Sequence, residues 1–344
     1  MKIVFIVWAP YSPRSENLSE VLNAPLFLVS YKFKRKIYSA IKYPILFIKT
    51  FDILKKEKPD ILFLQTPPIF CPLSAIIYQG LKGDQKKYNA IIIDAHAKSF
   101  DKPWSYFKML NKLIMKRASF VIVNNAELQT KVFQNYGIRP ILLMDRIPNF
   151  EKYKSNIVKE TKQHEHEKMY NNSNNSKLLR IAVIASFASD EPLEEVLKAA
   201  STLPWVEFYI TGDKSLVDKK LFKIKPQNVT FTGFMDYNNY LSLLQDIDGI
   251  MVLTNRSGTM LSGAYEALAL EKPLITSNCE PLKQYFNRGT IHIDNSSKQI
   301  EGAINLIQKN KQELAKDMRQ LKIERSNEWE QKFVEFKSLV LKNR

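Results

Sequence analysis

Asp94 and His96 form the first group of residues whose types and spacing could carry chemistry. They stand in the segment DAHAKSF, directly after the apolar run AIII. A histidine can exchange a proton near neutral pH, and a carboxylate beside it can orient its ring. The pair therefore predicts a general base, with His96 oriented by Asp94 or with Asp94 itself as the proton acceptor. The alternative is a histidine that only satisfies hydrogen bonds of its loop.

A second polar segment, SGTMLSGAYEALALEKPLITS, follows the apolar run GIMVLT and opens with a loop of small residues. A helical pattern comes next, and the N-terminus of a helix offers free backbone N–H groups and a positive dipole end. Two glycines of the segment permit close approach, and three hydroxyls add hydrogen-bond donors. These residues are Ser257, Gly258, Thr259, Ser262 and Gly263. The segment therefore predicts a binding site for a diphosphate.

Glu266 follows within about one turn of the predicted helix start. A carboxylate at that place can accept hydrogen bonds from both hydroxyls of a ribose that is attached to the diphosphate. The alternative is a carboxylate that complements the helix dipole on a solvated face. The spacing favours neither interpretation over the other.

Two series of short apolar runs alternate with helical patterns, and these elements must position the polar segments. The first series is KIVFIVW, DILFLQT, NAIIIDA and ASFVIVNN, and the second is LLRIAVIAS, VEFYITGD, VTFTGF, DGIMVLT and KPLITSN. Such alternation is typical of parallel α/β sheets, which bind ligands beyond the carboxyl ends of their strands. It predicts two Rossmann-like domains, at residues 1–150 and 178–322, with a polar linker at 151–177. Residues 323–344 predict a helix that packs back on the first domain, with Trp329, Phe333 and Phe336 on its apolar stripe.

The composition fits an intracellular globular protein with an anionic partner. Lys and Arg total 51 against 35 Asp and Glu, a formal charge of +16, which favours phosphorylated ligands, an acidic membrane surface or nucleic acid. Cys71 and Cys279 lack a pairing pattern, which indicates a reducing compartment. The opening run MKIVFIVWAP is too short to span a membrane and predicts a buried strand instead.

The positive charge is concentrated around residues 31–58, where aromatic residues interleave with bases. The bases are Lys32, Lys34, Arg35, Lys36, Lys42, Lys49, Lys55, Lys56 and Lys58. A basic, aromatic and partly helical surface suits an anionic membrane interface, and it would also suit nucleic acid. The alternative is a solvated lysine face over a core helix. Because KPWSYFKMLNKLIMKRAS has a similar mixture, we expect peripheral association with the cytoplasmic face of a membrane.

The segment VTFTGFMDYNNYLSLLQDIDGIMVLTNRSGTMLSGAYEALALEKPLITS resembles the C-terminal half of GT-B glycosyltransferases, especially the family 4-like group. It has their Gly-Phe turn, Leu-rich helix, acidic residue before a strand, Glu-bearing helix and Ala-x-x-x-x-Pro-Leu-Ile strand. Four other segments resemble the β-1,4-mannosyltransferases that extend lipid-linked chitobiose. They are FLQTPPIFCPL, IIIDAHAKSFDKPW, ILLMDRIPNF and IASFASDEPLEEVLKA.

The resemblance implies a GT-B enzyme whose two domains face each other across a cleft. It would move a hexose from a UDP- or GDP-linked sugar, bound by the second domain, to a glycan or lipid-linked saccharide held by the first. On this basis Glu266 contacts the ribose, Gly233 and Phe234 lie at the base, and His96 or Asp94 accepts the proton of the acceptor hydroxyl. Contacts to the acceptor or diphosphate are expected from Arg14, Ser15, Glu16 and Arg146. The alternatives are that Ser15 caps a helix and that Asp145 and Arg146 form an ion pair.

The sequence departs from the family 4 pattern at two places. Gly258 occupies the position of the first family glutamate, and the Arg and Lys of a G-R-x…K-G segment are replaced within IASFASDEP. The phosphates would then be met by backbone N–H groups, by hydroxyls such as those of Ser186 and Ser189, or by Arg256. Asp246 and Asp248 imitate a metal-binding pair, yet they precede a strand as an ordinary turn would, and we expect neither a metal nor another cofactor.

Three other interpretations remain open at this point. The fold could serve a nucleotide-sugar epimerase or hydrolase, which would need no acceptor surface. It could be a degenerate, non-catalytic GT-B subunit, because the first family glutamate is missing. A basic nucleic-acid-binding protein is the third, but the sequence has no zinc, RRM or KH signature, so we expect no nucleic-acid partner.

Overall fold

The computed structural model describes residues 1–31, 39–82, 88–150 and 178–342, which fall into two compact units. The first unit contains residues 1–146 and 327–344, and the second contains residues 147–326. The predicted polar linker, residues 151–177, lies outside the described residues, as do four of the predicted basic residues, Lys32, Lys34, Arg35 and Lys36.

The first unit alternates strands with helices. Its strands are β1 (Ile3–Val7), β2 (Leu26–Leu28), β3 (Ile61–Thr66), β4 (Ala90–Ala95), β5 (Phe120–Val123) and β6 (Ile141–Leu142). Its helices are α1 (Pro13–Val21), α2 (Ser39–Glu57), α3 (Phe70–Lys82), α4 (Lys108–Arg117) and α5 (Ala126–Tyr136), and 3-10 turns lie at Ala97–Phe100 and Trp104–Phe107.

The six strands of this unit form one parallel sheet in the order β2-β1-β3-β4-β5-β6. The sheet is covered on both faces, and every residue of β4 is buried, which explains why its strands are continuous apolar runs in the sequence. The chain reverses its direction of winding between β1 and β3. That reversal makes the carboxyl ends of β1 and β3 the topological switch point, where open sheets bind their ligands.

The second unit repeats the architecture with a different strand order. Its strands are β7 (Leu179–Val183), β8 (Val206–Thr211), β9 (Val229–Gly233), β10 (Gly249–Val252), β11 (Leu274–Ser277) and β12 (Thr290–Ile293). Its helices are α6 (Leu193–Thr202), α7 (Lys219–Lys223), α8 (Tyr237–Asp246), α9 (Ser262–Ala269), α10 (Glu280–Tyr285) and the start of α11 (Ser297–Lys342). The parallel order β12-β11-β10-β7-β8-β9 places the switch point between β7 and β10.

The last helix, α11, begins in the second unit, and its residues from 327 onward belong to the first. It therefore starts at Ser297 rather than at the predicted residue 323, with one non-helical residue at Asn310. Within the first unit, the predicted apolar stripe is buried against the sheet, and the rings of Phe336 and Phe63 meet edge to face at 6.2 Å. This packing closes the sheet face opposite α2 to α5.

Both units are doubly wound parallel sheets, so the predicted class of two Rossmann-like α/β domains is confirmed. Among the described residues, no helix is both long enough and apolar enough to cross a bilayer.

Candidate functional site

In the first unit, polar side chains from five strand ends meet at one edge of the sheet. Because the strands are parallel, their carboxyl ends lie side by side at this edge. The contributors are Ser12, Arg14 and Ser15 after β1, Gln65 at the end of β3, Asp94 and His96 at the end of β4, Asn124 after β5 and Asp145 after β6.

Arg14 is the centre of this cluster. Its Nε lies 2.9 Å from both carboxylate oxygens of Asp94, and its Nη1 donates to Asp145 Oδ1 at 2.6 Å. The side chains of Arg14 and Asp94 are only 4% and 6% exposed. Asn124 holds the other oxygen of Asp145 through a hydrogen bond of 3.2 Å. A buried cation thus binds two carboxylates that arrive from distant parts of the chain.

The cluster distinguishes the two predicted proton acceptors. Burial would raise the pKa of Asp94, but the charges of Arg14 and His96 and their hydrogen bonds lower it to about 2. The Asp94 carboxylate is therefore ionised and already saturated by Arg14, which disfavours it as a base. It lies 3.2 Å from His96 Nε2, and since an ionised carboxylate only accepts hydrogen bonds, Nε2 carries the proton. When the ring is neutral, its lone pair is then on Nδ1, which favours His96 as the proton acceptor.

Ser15 and Glu16 lie on different sides of α1. Ser12 is the residue that caps this helix, accepting from the Ser15 N–H, with Pro13 in the first helical position. The alternative that Ser15 is the cap is therefore wrong. The Ser15 hydroxyl instead donates to Gln65 Oε1 at 3.0 Å, at the edge of the cluster. Glu16 lines a separate surface depression with Ser19 and Glu20.

Asp145 and Arg146 do not pair with each other. Asp145 binds Arg14, whereas the Arg146 guanidinium lies 5.4 Å above the Trp329 ring of α11. The alternative of an Asp145–Arg146 ion pair is therefore wrong, because the neighbouring side chains point to different partners. The structure gives Arg146 a cation–π contact within the first unit.

In the second unit, the loops after β7 and β10 meet at the switch point. Thr254 donates from Oγ1 to Asp190 Oδ2 at 2.7 Å, and Arg256 lies 3.1 Å from the other oxygen of Asp190. The N–H of Asn255 also donates to the backbone oxygen of Asp190 at 2.7 Å. The structure thus places the predicted phosphate ligand Arg256 at the expected sheet edge, in an ion pair with Asp190.

Ser186 lies in the loop after β7, at the same sheet edge. Its N–H donates to both oxygens of the Glu191 carboxylate at 3.0 Å, and its hydroxyl donates to Oε1 at 2.7 Å. The anionic group that Ser186 binds in this structure is therefore the Glu191 carboxylate of the protein itself.

The predicted diphosphate loop leads into α9, which begins at Ser262. The residue before it, Leu261, provides no side-chain hydrogen bond to cap the helix. Gly258 has φ +67°, a conformation that glycine adopts without strain. At Gly263 a Cβ atom would lie 2.9 Å from both Ile184 Cδ1 and Val252 Cγ2. The two glycines thus allow the loop its turn and bring α9 close to the ends of β7 and β10.

Glu266 lies one turn into α9, on the same face as Ser262. It is half-buried and accepts a hydrogen bond from the Tyr240 hydroxyl of α8. Burial raises the pKa of the Glu266 carboxyl to about 7, and the Tyr240 hydrogen bond partly opposes that rise. The alternative of a dipole-compensating carboxylate on a solvated face is therefore wrong.

Gly233 ends β9 with φ +79°, and Phe234, which follows it, is 86% exposed. An exposed aromatic ring beyond a strand end can stack on a planar group such as a nucleotide base.

At the predicted metal-like pair, Asp246 and Asp248, the Asp248 carboxylate accepts hydrogen bonds from the Arg180 N–H at 2.9 Å and from Lys311 Nζ at 2.8 Å. In the part of the chain that the structure describes, no three His, Cys, Asp or Glu side chains converge as a metal would require.

Sequence reasoning missed seven residues of these clusters: Ser12, Gln65, Asn124, Asp190, Glu191, Thr254 and Tyr240. The first six follow or end strands, so a search of every strand end for polar residues would have found them. Tyr240 has no such signal, because its position in a helical pattern does not reveal which carboxylate it meets.

Comparison with known proteins gives these clusters a context. Residues 164–325 match the family of glycosyl transferases group 1. This part of the chain, slightly less than half of its length, is therefore similar to group 1 glycosyltransferases. No curated protein sequence matches the chain.

Solved structures share the fold over nearly the full length of the chain at low sequence identity. The Anabaena protein Alr3699/HepE, in complex with UDP and glucose, has a TM-score of 0.71 and 15% identity over 98% of this chain and 99% of its own. Sucrose-phosphate synthase from Thermosynechococcus elongatus has a TM-score of 0.69 and 13% identity over 98% of each chain.

The UDP-GlcNAc 2-epimerase from Neisseria meningitidis, bound to UDP-GlcNAc, is more distant. It has a TM-score of 0.55 and 12% identity over 93% of this chain and 94% of its own. These likenesses confirm the predicted GT-B fold.

Proposed function

We propose that this protein transfers a hexose from a UDP- or GDP-linked sugar to a glycan or lipid-linked saccharide. The observation that carries the proposal is the paired polar clusters, one at the switch-point edge of each parallel sheet. The second cluster lies within the residues that match the glycosyl transferases group 1 family, and related folds are known with UDP, glucose and UDP-GlcNAc. The two clusters offer different chemistry, since one contains a histidine base and the other a set of groups suited to a nucleotide.

The second unit would hold the nucleotide sugar. Glu266 would accept hydrogen bonds from the ribose hydroxyls, while the N–H groups at the start of α9 and the loop hydroxyls bind the diphosphate. Phe234 would lie against the base. Arg256 would add positive charge, in part offset by its ion pair with Asp190.

The first unit would hold the acceptor and remove its proton. The acceptor hydroxyl oxygen attacks the anomeric carbon, and the bond from that carbon to the diphosphate oxygen breaks. The nucleoside diphosphate leaves with the electron pair of that bond, and His96 Nδ1 takes the hydroxyl proton. Asp94, held by Arg14, fixes the tautomer of His96 and stabilises its charged form.

Glu266 variants test the nucleotide site. We expect Glu266→Ala to weaken binding of UDP or GDP roughly tenfold to a hundredfold, because hydrogen bonds to a charged acceptor contribute about 1.5–3 kcal/mol. Isothermal calorimetry with UDP, GDP and their sugars measures the loss and identifies the nucleotide. Glu313→Gln, an exposed glutamate of α11, is the matched control and should bind like the wild type. Equal affinities of the Glu266→Ala variant and the wild type would contradict the site.

The pH dependence of the same binding has a defined sign. Since the pKa of Glu266 in the free protein is about 7, the carboxylate is increasingly protonated below that pH, and nucleotide affinity should fall there. Binding to the ribose favours the carboxylate, so complex formation near pH 7 should release a proton. Calorimetry in two buffers of different ionisation enthalpy measures that proton, and the release should vanish in the Glu266→Gln variant.

The first unit also exposes a basic and apolar surface, formed by Tyr106, Met109 and Leu113 with the lysines around them. Met109 is 81% exposed, and Lys102, Lys108, Lys112 and Lys116 are exposed beside it. Ring contacts continue the surface to α2, because Phe107 and Tyr43 both pack against Phe70. We assign this surface to an anionic membrane, which would present a lipid-linked acceptor.

A vesicle experiment tests the membrane assignment. The double variant Met109→Ser/Leu113→Ser should bind vesicles with 30% anionic lipid at least fivefold more weakly in a sedimentation assay, because the buried apolar area is lost. Val334→Ser/Leu339→Ser removes two exposed apolar side chains from α11 in the same unit and should leave binding unchanged. Binding by both variants at the wild-type level would reject this surface.

A further inference from the structure

The switch point of the second unit contains two carboxylates at the edge where the diphosphate is proposed to bind. Asp190 and Glu191 both follow β7, within the segment that lacks the basic residues of the related G-R-x…K-G pattern. Two negative charges beside a diphosphate are unfavourable unless each carboxylate has another partner or moves away. The structure shows a partner for each of them.

Asp190 is held in place by the loop after β10. Thr254, which is buried, donates to one of its oxygens, and Arg256 pairs with the other. The backbone of Asn255 is tied to the same residue. These contacts give Asp190 a structural role. Glu191 differs from Asp190, because its contacts described above are with the neutral donors of Ser186 and include no cation such as Arg256.

Glu191 binds Ser186, and it does so as a phosphate would. Its two oxygens accept the Ser186 N–H, and one of them also accepts the hydroxyl. A backbone N–H and a hydroxyl at a strand end are the kind of neutral donors that cradle phosphate oxygens in nucleotide sites. The carboxylate therefore occupies a position whose chemistry suits the anion of the ligand.

The loop itself fixes the direction of the Ser186 donors. Phe187 adopts φ +58° and its ring packs against Phe231 at 6.0 Å. Gly212 lets the neighbouring strand end approach, because a Cβ there would lie 2.5 Å from the Ala185 oxygen. Since these contacts hold the backbone without Glu191, that side chain can leave while the Ser186 N–H stays where it is.

We propose that Glu191 is an internal ligand of the diphosphate position and limits the affinity for the nucleotide sugar. On binding, the diphosphate takes the N–H and hydroxyl of Ser186, and the Glu191 side chain turns away into solvent. The inference rests on the proposed nucleotide-sugar site and adds to it the residue that competes with the diphosphate.

The substitution Glu191→Gln tests this competition, because it keeps the side chain's size and removes its charge. Calorimetry should show UDP or GDP binding roughly five- to tenfold more tightly than to the wild type, since a like charge and a charged acceptor are lost. Glu191→Ala should also bind UDP or GDP more tightly than the wild type does. This second variant shows whether the gain comes from loss of the carboxylate rather than from the new amide of Glu191→Gln. Uridine or guanosine without phosphates should bind all three proteins equally.

Glu194→Gln is the matched control, an exposed carboxylate of α6 with the same charge change three residues away. It should change the dissociation constant less than twofold. Equal or weaker binding of the diphosphate by both Glu191 variants would overturn the inference, and so would an equal gain for the free nucleoside. Failure of the wild type and the variants to bind UDP and GDP at all would overturn the nucleotide site together with the inference.

Discussion

Replacing His96 with alanine should lower kcat for sugar transfer by about 10²–10⁴-fold, the usual contribution of a positioned general base. The physical reason is the orientation of the ring. Asp94 accepts a hydrogen bond from the N–H at Nε2, so the lone pair on Nδ1 is the one available to a hydroxyl. Turnover is measured as release of UDP or GDP in the presence of the acceptor.

The His96→Ala variant must still bind the nucleotide. Its dissociation constant for UDP or GDP should stay within twofold of the wild type, because the nucleotide is assigned to the other unit. An activity loss below tenfold, or an equal loss of nucleotide affinity, would remove His96 from the reaction.

Asp94→Asn separates positioning from proton transfer. The amide can donate to the ring nitrogen that now donates to Asp94, so it favours the other tautomer of His96 and no longer stabilises the charged ring. We expect kcat to fall at least tenfold while the dissociation constant for the nucleotide is unchanged. If Asp94 were itself the base, the His96→Ala variant would retain most of the activity.

The fold could be predicted from the sequence because each parallel strand forms a run of apolar residues that can be recognised locally. Runs such as KIVFIVW and DGIMVLT are buried on both faces of a sheet, so their apolar character does not depend on distant partners. The start of the last helix could not be predicted from the sequence, since α11 runs from Ser297 through residue 323 and its one non-helical residue lies earlier, at Asn310. Its boundary therefore reflects packing in the first unit rather than a signal in the chain.

The candidate site could be predicted only where polar or titratable residues directly follow a strand. Asp94, His96 and Arg14 were found in this way because strand ends meet at one edge. The partner of Asp145 could not be found, because Arg14 reaches it across 131 residues of sequence while Arg146 stands beside it. The raised pKa of Glu266 likewise depends on burial by neighbouring helices, which the spacing of one helix does not reveal.

Removing the Arg14 side chain should destabilise the first unit more than any surface substitution. Arg14→Met leaves the buried Asp94 carboxylate without its cation, and breaking one side of a buried ion pair costs about 3–5 kcal/mol. Urea unfolding at pH 7, followed by tryptophan fluorescence in a Trp205→Phe background, reports on this unit, because the remaining tryptophans, Trp8, Trp104 and Trp329, lie within it. Arg117→Met at the exposed end of α4 should change the unfolding free energy by less than about 0.5 kcal/mol.

A second substitution shows that the cost belongs to the uncompensated charge. Arg14→Met/Asp94→Asn should recover part of the stability lost in Arg14→Met, since the buried carboxylate is gone. The contribution of Asp94 to the free energy of unfolding also depends on pH. The folded pKa of Asp94 is about 2 against 3.8 for the unpaired group, so its stabilising effect is complete only above about pH 5 and is lost progressively as the pH falls from there through 2. In Arg14→Met, burial should raise the folded pKa of Asp94 above that of the unpaired group, so protonation of Asp94 on acidification should stabilise the folded form instead of destabilising it. A double variant no more stable than Arg14→Met would show that Arg14 acts by packing alone.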